Sequence, residues 1–129
     1  AEIETPQSFV TKLMFFQKSI LNRTLQAHTA KIIRMFHLLE QRDIMEAEKF
    51  LVRHGTVVNV LREYYDLEQT KLNNAITLES KNKLESVLVQ ASSAIEQDVT
   101  NLIKYRLLDV SAESDVYIQT LKNKKLLND

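Results

Sequence analysis

The side chains that could perform chemistry are few and scattered. The chain has three histidines, His28, His37 and His54. Two imidazoles on one helix grip an ion when they stand three or four residues apart, because both rings then leave the same face. Here the gaps are nine and seventeen residues. His28 shares a face with Leu25 and Ile32, which marks it as a histidine at the edge of a core. Glu46, Glu48, Glu63 and Asp66 are the carboxylates to consider for acid–base or metal chemistry. A di-metal bundle needs Glu-x-x-His on two helices, and the motif does not occur. Glu63 and Asp66, three residues apart, read as a solvated face. Asp98, near Ile95 and Leu102, reads as one polar contact that fixes register or pairs with a basic residue of the first helix. Ser92 and Ser93 stand between Ala91 and Ala94, a run better suited to close helix approach than to nucleophilic attack.

The absences narrow the field further. There is no cysteine, so a disulfide, a thiolate metal site and a cysteine nucleophile are excluded. The single glycine, Gly55, cannot build a phosphate-cradling loop. No residue is therefore assigned a catalytic, cofactor-binding or metal-ligating role. Lys122, Lys124 and Lys125 form the one short basic cluster. They suit the negative end of a helix dipole, with contact to a phosphate or lipid headgroup as the alternative.

These groups must be carried by helices. The 129 residues include one Gly and one Pro, too few breakers for a β-rich chain. Apolar residues at 44% and charged residues at 26% describe a globular chain with a real core. The net charge of zero provides no field for nucleic acid. No apolar run approaches the ~18 residues of a membrane span. No signal peptide is expected from Ala1, Glu2 and Glu4, and a start without Met fits either an excised domain or removal of Met before Ala1.

The first helix is expected over residues 6–41, with Thr5 as cap and Pro6 in the first turn. Its apolar stripe changes face near Ser19 and Asn22. Phe9, Leu13, Phe16 and Ile20 lie on one side, and Leu21, Leu25, Ile32, Phe36 and Leu39 on another. A bend or a change of packing partner is expected there. The second helix covers 43–72, capped by Asp43, with a kink or break at His54-Gly55-Thr56. The third covers 77–108, capped by Thr77. Its Leu84, Leu88, Ala91, Ile95, Val99 and Leu102 form a seam for long helix packing. A short fourth helix covers 111–124. The expectation is one all-α domain over 1–129, an antiparallel three-helix bundle with a kinked or broken second helix and a short C-terminal fourth. Residues 1–42 carry +3 and residues 43–70 carry −3, which favours docking of the first two helices.

The run Leu13-Met14-Phe15-Phe16 covers every side of a helix. Some of it must face a covering element, here the fourth helix, or a partner. Val58 and Tyr65 lie off the main stripe of the second helix. Phe15, Phe16, Val58 and Tyr65 are therefore the candidate interaction residues.

The stretch from Lys49 to Leu67, with Phe50-Leu51, Val57-Val58, Val60-Leu61, Tyr64-Tyr65 and Leu67, resembles a segment of the XpaC proteins. Leu108-Asp109-Val110-Ser111, then Asp115-Val116 and Leu121, is similar to that family's ending. The resemblance covers residues 20–125. His54-Gly55-Thr56 departs from it, standing where the family has Tyr-Leu-Pro. The family is labelled for 5-bromo-4-chloroindolyl phosphate hydrolysis and accompanies TelA-type toxic-anion resistance proteins. The resemblance implies a soluble domain of a bacterial membrane-associated protein in envelope stress or toxic-anion resistance. It would sit in the cytoplasm at the inner face of the membrane. Its partner would be a TelA-like helical protein, or a second copy by self-association. The expected function is a non-enzymatic helical interaction module. The alternatives are a phosphoesterase for indolyl phosphates and a lipid-binding bundle at a membrane surface.

Overall fold

The computed structural model describes residues 4–127. The described residues form five α-helices and no strand: α1 (Pro6–Ser19), α2 (Arg23–Arg42), α3 (Ile44–His54), α4 (Val57–Gln69) and α5 (Ala75–Asn123). The all-helical class is as expected, and none of the four expected helices keeps its bounds.

The first expected helix is two. Its apolar face rotates at Ile20-Leu21-Asn22, and the chain breaks there rather than bending. Ile20 turns extended and is buried, while Asn22 caps α2 by accepting from the Leu25 N–H at 3.1 Å. The break leaves backbone groups that side chains satisfy. The Leu21 N–H donates to the Glu68 carboxylate at 3.0 Å, and Gln26 Nε2 donates to the Ile20 carbonyl at 2.7 Å. Leu21, assigned above to a buried stripe, is 78% exposed as a result. The second expected helix breaks at Gly55 into α3 and α4, and its end is set by Lys71 in the left-handed region at φ 56°.

The third and fourth expected helices are one continuous helix of 49 residues, α5. Asp109 and Ser111 stand where a break is expected, and neither makes one. Each lowers helix propensity by less than about 0.7 kcal/mol, and no Gly or Pro stands near them to end the helix. The helix begins earlier than expected too. Asn74, not Thr77, is the cap, its Oδ1 accepting from the Thr77 N–H at 2.9 Å. Thr77 itself is buried. The end is a Schellman turn. Lys125 sits at φ 59°, with Leu126 N–H donating to the Leu121 carbonyl at 2.9 Å and Lys125 N–H to that of Lys122 at 3.0 Å.

The chain divides into two compact units, residues 1–96 and 97–129. In the first unit the contacts fix the helix directions. α1 and α2 are antiparallel, with Phe9 against Phe36 and Ile20 beside Gln26. α4 runs with α1, since Phe15 meets Tyr65 and Leu21 meets Glu68. Asn22, His28 and Lys31 of α2 meet Glu85, Ser92 and Glu96 of α5 in that order, so α2 and α5 also run the same way. The order along the chain is up, down, up, down, with α3 inserted between the second and third rods. This corrects the expected antiparallel three-helix arrangement. The reason is the break at Ile20–Asn22, which turns one expected rod into a hairpin.

A cluster of three rings closes the base of this unit. Phe9 of α1, Phe36 of α2 and Phe50 of α3 are fully buried, with centroids 5.0 to 5.9 Å apart. Buried side chains of this size are worth ~1.5–3 kcal/mol each, against ~0–1 for an exposed ion pair. Apolar burial, not the charge difference between 1–42 and 43–70, therefore dominates the docking. On α5 the expected seam is hidden as read: Leu88, Ile95 and Val99 are buried, and Leu84, Ala91 and Leu102 are half-buried. In the second unit every residue from Lys104 to Leu127 is exposed except Leu121, which is half-buried.

Candidate interaction surfaces

The groups singled out for chemistry are spent on structure. His28 is half-buried on α2, and its Nδ1 lies 3.0 Å from Ser92 Oγ on α5. A Ser–His contact invites a nucleophilic reading, but Ser92 is 1% exposed, which leaves no approach for a substrate. The pair is a polar rung between two helices. His37 is exposed beside Glu40 at 3.4 Å, one helical turn away. The His54 ring lies 4.9 Å from that of Phe50. Glu63 and Asp66 are both exposed, and Asp98 is half-buried. Among the described residues no group of three His, Asp or Glu could hold a metal ion.

One polar cluster ties helices together, and a second sits at the start of α1. Asn22 Nδ2 donates to Tyr64 Oη at 2.9 Å and to Glu85 at 3.3 Å, so one side chain joins α2, α4 and α5. Burial pushes the Tyr64 phenol above its ordinary value. The Asn22 hydrogen bond opposes this, and the charges of Glu68 and Glu85 add to it. At the start of α1, Ser8 and Lys12 donate to Glu4 at 2.6 and 2.9 Å. Burial alone would raise the Glu4 carboxyl. The Ser8 and Lys12 hydrogen bonds, with the charges of Lys12 and Arg62, outweigh it and hold the group below the usual carboxylate range. Among the described residues one buried hydroxyl, Thr29 Oγ1, has no hydrogen-bond partner.

The four candidate interaction residues divide. Val58 is 1% exposed and Phe16 is 4% exposed, so neither offers a docking face. Val58 packs inward because α4 lies with its Val57, Val58, Leu61 and Tyr64 side against the first unit's core. Phe15 is 50% exposed and Tyr65 half-buried, with their rings edge-on at 5.4 Å. They form a small aromatic ledge between α1 and α4, and Met14 beside them in sequence is also exposed.

A second and larger surface was not anticipated. The stretch of α5 beyond Leu102 displays Tyr105, Leu107, Leu108, Val110, Val116 and Tyr117, each more than half exposed. The expected break at Asp109–Ser111 hid it by assigning these residues to two separate helices. The signal available was the apolar spacing of Leu102 or Ile103, Leu107, Val110, Tyr117 and Leu121, which carries through the supposed break without slipping. Comparisons with protein-family models, with curated proteins and with solved structures found no match.

Proposed function

We propose that the chain is a non-enzymatic helical interaction module that docks through exposed apolar helix faces. The observation that supports this reading is the run of large apolar side chains open to water along α5 from Tyr105 to Tyr117. Exposing them on a formed helix is unfavourable unless a partner covers them. The Phe15–Tyr65 ledge is a second, smaller face of the same kind.

The resemblance of residues 49–67 and 108–121 to the XpaC proteins supplies a setting. In it the chain is the soluble domain of a bacterial membrane-associated protein of envelope stress or toxic-anion resistance. It works in the cytoplasm beside the membrane with a TelA-like helical partner. No helix among the described residues is long and apolar enough to cross a membrane.

The test uses a purified TelA-type protein and the full chain in size-exclusion co-elution. Co-elution that is lost on Phe15→Asp or Leu107→Asp, with helicity unchanged by circular dichroism, is the expected result. Hydrolysis of an indolyl phosphate by the purified chain, sensitive to substitution of a carboxylate, would overturn the non-enzymatic reading.

A further inference from the structure

We propose that residues 118–127 bind an anionic lipid surface, with Lys122, Lys124 and Lys125 against the headgroup phosphates and Ile118, Leu126 and Leu127 in the apolar boundary beneath them. The segment lies beyond the protein-docking stretch of α5, and the proposal does not depend on that reading.

Charge is the first observation. The chain as a whole is neutral, yet residues 116–128 hold three lysines and no acidic residue. All three lysines are exposed. Among the described residues none of them forms an ion pair. The dipole of α5 places only about half a negative charge at this end, so a positive excess remains.

Geometry is the second. At ~100° per residue Ile118 lies within about 60° of Leu121, and Lys122 borders Ile118 on the far side. Lys125 then turns the chain back at φ 59°, and the Leu126 N–H reaches the Leu121 carbonyl at 2.9 Å. The turn therefore returns Leu126 and Leu127 to the end of the helix that carries Leu121. Ile118, Leu126 and Leu127 are 43, 66 and 42% exposed there, among the ammonium groups. Lysine stems can lie along such apolar side chains while their charged heads reach outward.

A lipid surface is the occupant that answers both halves. Nucleic acid offers phosphates but no apolar layer below them. A bilayer offers phosphates over hydrocarbon within ~5–10 Å. Each lysine near an anionic surface is worth about fivefold in partitioning, so three give about a hundredfold. Lasting attachment takes a second signal, which the exposed leucines supply. The nearest acidic residue before the segment is Asp115, seven positions ahead of Lys122. At ~1.5 Å per residue that is about 10 Å, close to a Debye length at physiological salt. A helix meeting the surface by its end keeps this carboxylate at that remove.

Co-sedimentation of the full chain with sucrose-loaded vesicles tests this. One set is pure phosphatidylcholine, and the other holds about one third phosphatidylserine. Binding is expected to the anionic set only, with release at high salt. Replacing Lys122, Lys124 and Lys125 together with Gln should weaken it about a hundredfold. The same loss of charge at Lys18, Lys71 and Lys83 should leave it unchanged. Ile118→Ser with Leu127→Ser should weaken it with the lysines intact and helicity unchanged. Leu107→Asp, which disrupts protein docking, should not affect it. Sedimentation with neither set, or equally with both, would overturn the proposal. So would equal effects of the two lysine triples, or binding that the Ile118 and Leu127 substitutions do not touch. Duplex DNA that competes the chain off the vesicles would overturn the choice of lipid.

Discussion

Asn22 shows how much one side chain can hold. Its oxygen caps α2, and its amide reaches Tyr64 and Glu85 on two other helices. Asn22→Ala removes an N-cap worth about 1 kcal/mol and leaves the buried Tyr64 hydroxyl without that partner, at about 1 kcal/mol more. Denaturant unfolding of the variant should show a loss near 2 kcal/mol. Thr29 is the opposite case. Its hydroxyl is buried with no partner, so Thr29→Val removes a desolvated polar group and keeps the branched shape. The variant should be more stable by about 1 kcal/mol, read as a higher Tm. Glu4 gives a pH dependence. Its carboxyl is held below the usual carboxylate range, so its contribution is present above that range and fades as pH falls through the lower folded value. Lys12→Met should flatten that part of the stability curve in acid titrations followed by circular dichroism. Tyr64, raised above 10.0, acts with the other sign: its contribution holds below that pH and is lost in stronger alkali.

At the scale of elements, the junction between α3 and α4 turns on Gly55. In a helical backbone, Gly→Ala normally stabilises by roughly 0.4–1 kcal/mol through the unfolded chain. Here a Cβ would stand 2.6 Å from the Leu51 carbonyl oxygen, which is backbone and cannot swing aside. Overpacking costs typically about 1–3 kcal/mol, so the sign should reverse. Gly55→Ala is expected to lower the Tm, and a rise would show that the junction relaxes freely. That break was legible because a lone glycine between two apolar runs has few other uses. The seam from Leu84 to Leu102 was legible because its spacing matches helix packing. The hairpin at Ile20–Asn22 was legible only as a change of face. What ends α1 is a set of contacts from distant residues, Glu68 to the Leu21 N–H and Tyr64 to Asn22, which no local pattern contains. Asp109 and Ser111 favour helix caps, yet α5 runs through both. Cap residues help a helix start, but without a breaker they do not stop one. Val58 was misplaced for a related reason, because a face is defined by what packs on it, and α4 turned out to face the core with that side.

The two units of the molecule differ in what they do with their apolar side chains. Residues 1–96 hide their apolar stripes among four rods and the Phe9–Phe36–Phe50 cluster. Residues 104–123 keep helix with their apolar side chains exposed, Leu121 apart. A solvated helix is stabilised mainly by its own hydrogen bonds and frays readily, so something must cover this one if it is to persist. Amide hydrogen exchange followed by mass spectrometry, without and with a TelA-type protein, tests that claim directly. Peptides spanning residues 103–121 should gain protection when that protein is added, while those in α2 and α3 do not change. Equal protection of the 103–121 peptides with and without it would contradict the claim.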